Sequence, residues 1–311
     1  NVRRDPANLA GLCQPQSDDM PKPSKISSTD SVLNDLKSDS LALNFNLHPD
    51  LFISAVSDCI LDQRCRILYH HVGKSGGTTI EDTFFRIFPV PGSKEGHLKS
   101  CCGPALLGRL NEDDMMRRQY CEAKFASYQV SGKHILELVN GCMNLTNGVS
   151  GSGSEDTGDD LQKYDRTVII TSLREPIQRC LSSIHQMCNK HLGSRSNATI
   201  LACMACRYDV HTEIWQKIVN MTNEHYIGIE LVLTTANLPS VQALSIDMLD
   251  INDFFAGLRI ALAPKGVEVP ETTWRNPEKS TVCSFQMPSE MMKDLSQSMA
   301  IYRNVTAGVY R

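Results

Sequence analysis

Residues 67–88 of the chain read ILYHHVGKSGGTTIEDTFFRIF. The pattern of apolar and small residues predicts a buried strand over 67–72, a loop over 73–77 and an amphipathic helix over 78–88. A glycine-rich loop that leads into a helix binds anions well, because free backbone N–H groups and the positive end of the helix dipole point to the same spot. The stretch therefore predicts an α/β fold with a phosphate or sulfate site at the loop.

The loop offers three kinds of anion ligand. Glycines allow the backbone to approach phosphate closely, a lysine adds mobile positive charge, and hydroxyl groups add further donors. These residues are Gly73, Gly76, Gly77, Lys74, Ser75, Thr78 and Thr79. The lysine precedes the last glycines instead of following them, so the loop is not a Walker A motif. The segment VGKSGGTT instead resembles the 5′-phosphosulfate loop of sulfotransferases that use PAPS (3′-phosphoadenosine 5′-phosphosulfate), and most closely that of the membrane-bound carbohydrate sulfotransferases.

A second segment, residues 166–188, reads RTVIITSLREPIQRCLSSIHQMC. Its apolar run predicts a buried central strand over 168–173, and Pro176 suits the first turn of the amphipathic helix that follows. Arg174 lies at the exit of the strand, and Ser182 follows it by eight residues. This pair resembles the 3′-phosphate motif of the same superfamily, in which an arginine and a serine at that spacing hold the 3′-phosphate of PAPS.

The alternation of strands and helices predicts a mainly parallel sheet that is flanked by helices, with ligands at the carboxyl ends of the strands. The resemblance makes this fold a P-loop-like three-layer sandwich. Residues 1–45 are rich in polar side chains and are predicted to form a flexible stem. Residues 46–311 are predicted to form a single sulfotransferase domain, in which residues 145–162 are a flexible surface loop of low complexity.

Periodicity predicts further elements along the domain. They are a helix over 51–61, a helix around 112–120, a strand over 126–138, a strand over 226–233 and a last helix that Ser289 caps. The strand over 226–233 resembles the Val-Gly-x-x-Glu strand found late in the family. The last helix is predicted to turn an apolar stripe toward the core, formed by Met291, Met292, Leu295, Met299 and Tyr302.

The chain has 311 residues, 41% of them hydrophobic, and a net charge of −4. This composition suits a large globular domain and carries no general basic surface for nucleic acid. No apolar run of about 18 residues, the length of a membrane span, is present. The 12 cysteines and four Asn-x-Ser/Thr sequons favour an oxidising, glycosylating compartment; the sequons are at Asn144, Asn197, Asn220 and Asn304.

The cysteine spacing favours disulfides over metal binding. A four-thiolate zinc site is formally possible, but its spacing is not that of a double Cys-x-x-Cys motif, and no metal site is predicted. The cysteines concerned are Cys101, Cys102, Cys203 and Cys206.

The resemblance also implies a cellular setting. Carbohydrate sulfotransferases of this type are usually type II membrane proteins of the Golgi, with a short cytosolic tail, one anchor and a luminal stem. We therefore expect this chain to be the luminal part of such a protein, in contact with the membrane only through an N-terminal anchor that this sequence lacks. A secreted protein is the alternative.

The resemblance implies transfer of the sulfuryl group from PAPS to a carbohydrate hydroxyl. The protein must orient both partners, stabilise the leaving phosphate of PAP and accept the hydroxyl proton. A metal is not required, since PAP is a good leaving group. Lys74 is expected to stabilise the leaving phosphate, and Arg174 with Ser182 to select the 3′-phosphate. The 5′-phosphate is assigned to Gly76, Gly77, Thr78 and Thr79.

Several residues are candidates for the base that takes the proton. His134, in the segment SGKHIL, is preferred, because the similar uronyl 2-O-sulfotransferases carry a catalytic histidine at the end of a strand between the two phosphate motifs. His97 is the second candidate. The carboxylates Glu81 and Asp82, in the first turns after the loop, are the third.

Two further features complete the expected site. In members of this family, a basic loop near the carboxyl end of the chain closes over the nucleotide. The resemblance implies that Arg275 and Lys279 do so here. The adjacent histidines His70 and His71 end the first strand, and at least one of them is assigned to packing.

Two other classes of protein remain open. A P-loop kinase or nucleoside triphosphatase would need magnesium and a Walker B aspartate at a strand end, whereas the strand over 168–173 leads into Arg174. A secreted binding glycoprotein would keep the fold and bind PAP without transferring sulfate. Among sulfotransferases, a protein tyrosine or a small alcohol is the alternative acceptor. The acceptor, the oligomeric state and the disulfide pairing stay open.

Overall fold

The computed structural model describes residues 42–88, 99–101, 123–129, 135–136, 139, 164–190, 212–235, 240–272 and 289–309. These residues belong to one compact unit, Asp39–Arg311. The stem, the surface loop over 145–162 and the helix around 112–120 lie outside the described residues and stay predictions.

A parallel sheet of six strands forms the centre of the described part of the chain. The strands are β1 Leu43–Asn44, β2 Cys65–His70, β3 Lys99–Cys101, β4 Phe125–Gln129, β5 Arg166–Leu173 and β6 Val241–Asp247. Their order is β1-β6-β5-β2-β4-β3, and every neighbouring pair is parallel. The predicted parallel sheet is therefore confirmed, and β2 and β5 lie side by side at its centre.

Seven α-helices are found in the same ranges. They are α1 Pro49–Leu61, α2 Gly77–Ile87, α3 Pro176–Lys190, α4 Thr212–Thr235, α5 Ile251–Leu262, α6 Ser289–Asp294 and α7 Ser296–Thr306. The 3-10 turns Met248–Asp250 and Ala263–Lys265 flank α5.

Two apolar cores separate the sheet from the helices. Successive strand residues alternate between the cores, as the pleat of a strand requires, so that Ile67 and Leu68 of β2 lie in different cores. One core packs α4 and α7 on the sheet, and the other packs α1, α2 and α5 on the opposite face. Both faces of the sheet are thus covered, which is the arrangement of a three-layer α/β sandwich.

The predictions for both motifs are confirmed at the level of secondary structure. The glycine loop lies between β2 and α2. Arg174 lies between β5 and α3, and Pro176 is the first residue of α3. The helix predicted over 51–61 is α1.

The strand predicted over 226–233 is wrong. These residues lie within α4, where Tyr226, Ile229 and Leu233 pack in the core beneath the sheet. A short apolar run fits a buried strand and a buried helix equally well, and tertiary packing decides between them. β5 pairs with β2 on one side and with β6 on the other, and β6 is a strand that the sequence pattern did not predict. The resemblance of residues 226–233 to the late strand of the family therefore fails.

Two other predicted elements differ in part. The strand predicted over 126–138 ends at Gln129, and the described part of its second half is helical. The last helix breaks at Leu295 into α6 and α7, and Ser289 is its first residue, not the cap before it. Leu295 is fully buried, but Met292 is 49% exposed, so the predicted inward stripe is wrong at that position.

One disulfide is present in the described ranges, between Cys59 near the end of α1 and Cys65 at the start of β2. The prediction of disulfide bonding is confirmed for this pair. Cys180 of α3 is free and buried, in line with its place on the apolar face of that helix. Among the helices that the structure describes, none has the length and hydropathy of a membrane span.

Candidate functional site

The two sequence motifs meet at the carboxyl edge of the sheet. β2 and β5 are parallel neighbours, with His70 opposite Thr171, so the residues that follow the two strands emerge side by side. Nη1 of Arg174 donates a hydrogen bond to the carbonyl oxygen of Lys74 at 3.1 Å. Arg174 is only 8% exposed. Two residues that are 100 positions apart in the chain are therefore held together at one site.

The loop between β2 and α2 has an unusual backbone. Lys74 has a φ of 70° and Gly76 a φ of 76°, and no other non-glycine residue in the described ranges has a positive φ. The left-handed conformation costs a residue with a side chain roughly 1–2 kcal/mol. Such conformations persist where neighbouring contacts hold them, and they cluster at ligand sites. The hydrogen bond from Arg174 to Lys74 is one contact that holds this loop.

The start of α2 is suited to an anion. Gly76 precedes the helix and has no side chain that could cap its first N–H groups, of which that of Thr79 donates to the carbonyl oxygen of Gly76 at 3.0 Å. An uncapped N-terminus combines free donors with partial positive charge.

A buried hydroxyl lies in the same loop. Ser75 is fully buried, and its Oγ has no hydrogen-bond partner among the residues that the structure describes. A buried hydroxyl without a partner costs roughly 1–3 kcal/mol, which a ligand oxygen would offset. The loop thus fits an anionic group with several oxygens.

A histidine–carboxylate pair lies beside the loop. Nδ1 of His71 and Oε1 of Glu81 are 2.7 Å apart. The hydroxyl of Ser127 in β4 donates to the same carboxylate oxygen. Glu81 is 4% exposed, so the pair is largely withdrawn from solvent. The neighbouring His70 is fully buried and serves packing, as the sequence predicts for at least one of the two histidines.

Arg179, in α3, is another buried arginine and is 1% exposed. Its guanidinium donates to Oγ1 of Thr222 and to Nδ1 of His225, both in α4. Burial first, and then the charge of Arg179, lower the pKa of His225 to about 3, so His225 is neutral and accepts the bond. The hydroxyl of Tyr226 donates to the carbonyl oxygen of Arg174. One helix, α4, therefore supports both arginines.

The predicted site residues fall into two groups. Those that the structure describes are Gly73, Lys74, Ser75, Gly76, Gly77, Thr78, Thr79, Glu81, Arg174 and Ser182. Among them Lys74 contacts Arg174, and Ser182 lies half-buried on α3. The others lie outside the described residues and stay predictions: His134, His97, Arg275 and Lys279.

Sequence reasoning gave no chemical role to His71, Arg179 or His225. Nothing local links His71 to Glu81, because their contact depends on how α2 packs against β2. Arginine is rarely buried, so Arg179 on an amphipathic helix suggests a solvent-exposed side chain. A usable signal was its position next to Cys180, which borders the apolar face of α3.

The fold is that of an α/β protein, and the loop after β2 is a candidate anion site at the carboxyl edge of its parallel sheet. No group of three His, Cys, Asp or Glu side chains in the described ranges is placed to hold a metal ion. Comparison of the chain with models of protein families, with curated proteins and with solved structures found no match. Any assignment of function therefore rests on the residues of this site.

Proposed function

We propose that this protein is a PAPS-dependent sulfotransferase that acts on a hydroxyl group of a carbohydrate. One observation carries the proposal: Arg174 of one motif donates to the backbone of Lys74 in the other, at the ends of adjacent strands. PAPS carries its phosphosulfate and its 3′-phosphate on one ribose, so its two binding segments must lie side by side. Two chance resemblances, far apart in the chain, would have no reason to meet.

The loop supports binding of the 5′-phosphosulfate. Gly76, Gly77, Thr78 and Thr79 would hold the 5′-phosphate through backbone and hydroxyl donors at the uncapped start of α2. The hydroxyl of Ser75, buried and unpaired within the described ranges, would donate to a further oxygen. PAPS itself supplies the activated sulfuryl group.

Arg174 supports selection of the 3′-phosphate. A guanidinium has five N–H donors in a planar fork that matches phosphate geometry. The hydroxyl of Tyr226 holds the carbonyl oxygen of Arg174 and so fixes the strand exit. Ser182 on α3 is the second ligand that the resemblance implies. This side of the site would distinguish PAPS from nucleotides without a 3′-phosphate.

The proposed reaction is in-line sulfuryl transfer. The acceptor oxygen bonds to sulfur while the bond from sulfur to the bridging oxygen of PAPS breaks, and that electron pair stays on the 5′-phosphate of PAP. Lys74 stabilises the negative charge that develops on this phosphate. The acceptor proton passes to a base on the protein. The reaction as proposed requires no metal.

One residue bears on the kinase alternative. Asp247 is the last residue of β6, beside β5, where a Walker B aspartate would be expected. Its Oδ1 accepts from the N–H of Leu249 at 3.0 Å, and its Oδ2 accepts from the hydroxyl of Tyr302 at 2.7 Å. Both oxygens already serve the fold, which favours the sulfotransferase over the kinase.

The proposal includes an oxidising compartment. The disulfide between Cys59 and Cys65 supports it, because such bonds are rare where glutathione keeps thiols reduced. The Golgi lumen is the setting that the resemblance implies, with membrane contact only through an N-terminal anchor, and a secreted protein is the alternative.

Calorimetric titration with PAP, and with ATP plus magnesium, tests the proposal. We expect metal-independent binding of PAP, with ATP weaker by at least about tenfold because it lacks the 3′-phosphate. A preference for magnesium-ATP would overturn the proposal and favour the kinase. Binding of PAP without transfer from labelled PAPS to a pool of desulfated glycosaminoglycans would favour a binding glycoprotein.

A further inference from the structure

The proposed function gives no role to His71, although the structure holds its ring in a defined position. It follows β2 directly and is oriented from two sides. Its ring stacks on Tyr69, with centroids 5.7 Å apart, and its Nδ1 lies 2.7 Å from the carboxylate of Glu81.

The other edge of the ring lies against the first residue of α2. A Cβ atom placed on Gly77 would be 2.1 Å from Cδ2 of His71 and 2.2 Å from its Nε2. These distances are too short for any side chain, so glycine at position 77 is what allows the ring to sit there. Nε2 therefore lies at the start of the helix that is proposed to bind the phosphosulfate.

The chemistry of the pair determines which nitrogen is basic. An ionised carboxylate can only accept hydrogen bonds, so Nδ1 of His71 carries the proton and donates to Glu81. Nε2 of the neutral ring is then a lone-pair acceptor. A lone pair is a poor ligand for a phosphate oxygen but a good acceptor for a proton.

Glu81 is itself badly placed to act as the base. It is almost fully buried, and its Oε1 receives hydrogen bonds from Ser127 and His71. Its carboxylate orients the imidazole and stabilises the imidazolium once a proton arrives, as the third member of a catalytic triad does.

We propose that His71 is the catalytic base, which takes the proton of the acceptor hydroxyl at Nε2, and that Glu81 is its positioning residue. The assignment rests on the proposed sulfotransferase function. As the acceptor oxygen bonds to sulfur, its O–H bond breaks and the proton bonds to Nε2. The imidazolium is held by the charge of Glu81 until it releases the proton to water.

The groups around His71 are consistent with a single proton acceptor. Glu81 faces it from α2, His225 is near it from α4, and Tyr69 and His70 are its neighbours on β2. Burial, followed by the charge of Arg179, holds the pKa of His225 at about 3. Near neutral pH, His225 therefore adds no positive charge that would compete with protonation of His71.

The first test compares His71→Gln and Glu81→Gln with His48→Gln, a control three strands away beside β1. PAP affinity is measured by calorimetry, and turnover by transfer from labelled PAPS to desulfated glycosaminoglycans. We expect His71→Gln to lower turnover by about 10²–10⁴ while the Kd for PAP stays within about twofold. Glu81→Gln should lower turnover by at least about tenfold, and His48→Gln should change neither quantity. A rise in the Kd for PAP that matches the loss of turnover would overturn the proposal.

The pH profile of turnover distinguishes a catalytic His71 from a structural one, because replacing a structural histidine would leave the shape of the profile unchanged. The acidic limb of the wild-type profile should vanish in His71→Gln. Persistence of the same limb in His71→Gln would overturn the proposal.

Nitrogen NMR of the histidine-labelled protein tests the assignment without turnover. The resonance that disappears in His71→Gln should be that of a neutral ring with its proton on Nδ1. A ring with its proton on Nε2 would overturn the proposal. Thermal unfolding checks that the variants are folded, and His71→Gln remains informative even if Glu81→Gln is not. Failure of the wild-type protein to bind PAP would instead overturn the proposed function itself, before any variant is compared.

Discussion

Two strands of the sheet, β2 and β6, lead into helical turns at the same edge, and the residues at or just after the two strand ends are held differently. At β6, Asp247 accepts from the N–H of Leu249 and from the hydroxyl of Tyr302. At β2, the helix begins after Gly76, which has no side chain to cap it, Lys74 is left-handed, and the buried hydroxyl of Ser75 has no partner in the described ranges. The protein itself therefore engages the carboxylate at the end of β6, although Oδ2 of Asp250 in the following turn is buried without a partner in the described ranges. At β2 the unpaired hydroxyl lies in the strand-end loop itself, beside the left-handed Lys74.

The comparison shows where on this edge a ligand is expected. All strands of a parallel sheet end on the same side, so topology alone does not distinguish β2 from β6. Backbone strain and an unsatisfied buried group each cost on the order of 1 kcal/mol, which is a notable share of a net stability of about 5–15 kcal/mol. A bound ligand would offset both costs at the β2 junction, which favours this end of the edge as the proposed site.

Among the remaining variants, the largest effect is expected from Lys74→Ala, which removes the positive charge of that side chain from the β2 junction. Turnover should fall by about 10²–10³, because one contact to the developing charge is lost. PAP affinity should change little, since the backbone donors of the loop remain. Transfer from labelled PAPS and PAP calorimetry measure the two quantities, with the exposed Lys265→Ala as control. Loss of PAP affinity with unchanged turnover per bound complex would contradict the leaving-group role.

Arg174→Ala should weaken PAP by about 10–100-fold, because hydrogen bonds to a charged group contribute about 1.5–3 kcal/mol. Adenosine 5′-phosphosulfate, which lacks the 3′-phosphate, should lose less affinity than PAP, since it is affected only through the lost contact between Arg174 and the loop. Competition binding of both nucleotides measures the difference. Arg64→Ala is the control, since Arg64 is an exposed arginine paired with Asp165. Equal losses for the two nucleotides would remove the 3′-phosphate assignment.

The folded protein should lose stability in acid, because His225 of α4 is buried in its neutral form beside Arg179 of α3. The pKa of His225 is about 3 in the folded protein and 6.5 in a model compound, chiefly because of burial and then of Arg179. Between these values the unfolded chain binds a proton that the folded protein does not. Stability is therefore complete above pH 6.5 and falls as the pH drops toward 3, by up to about 1.4 kcal/mol per pH unit.

Urea unfolding at a series of pH values measures this dependence. His225→Asn keeps an acceptor for Arg179 and should flatten the slope below pH 6.5, whereas His48→Asn should not. An unchanged slope in His225→Asn would show that His225 is not neutral in the folded protein.

The smallest effect is expected from Asp247→Asn at the β6 junction. Asparagine still caps the turn, but two charge-assisted hydrogen bonds become neutral, which costs about 1 kcal/mol. PAP binding and turnover should stay at wild-type levels. Thermal unfolding and PAP calorimetry check both statements. If Asp247→Asn instead abolished magnesium-dependent nucleotide binding, the result would support the kinase.

The sequence predicted both motif units because each is built from contacts within about two dozen residues. An apolar strand, a loop of small residues and an amphipathic helix have distinct periods, and Pro176 marks the start of one of the helices. The resemblance then assigned the loop and Arg174 to one ligand. The contact between Lys74 and Arg174 is what the structure adds to that assignment.

The segment 226–233, whose pattern predicts a strand although it is helical, shows the limit of prediction from local sequence pattern. Its apolar residues suit a strand by composition, yet the preceding residues extend the same face as a helix of 24 residues, and α7 packs on that face. Burial of a whole face outweighs the strand preference of a few β-branched residues. Residues 241–247, with a weaker pattern, form the strand beside β5.

The sequence by itself determined the two strand–loop–helix units and the parallel α/β class, and it pointed to the loop that is proposed to bind the anion. Only the tertiary structure decided that Arg174 reaches Lys74, that Glu81 orients His71 and that Arg179 is buried against α4. The reason is physical. Secondary structure follows from the period of neighbouring side chains, whereas these contacts join residues on different elements and exist only when both faces of the sheet are packed.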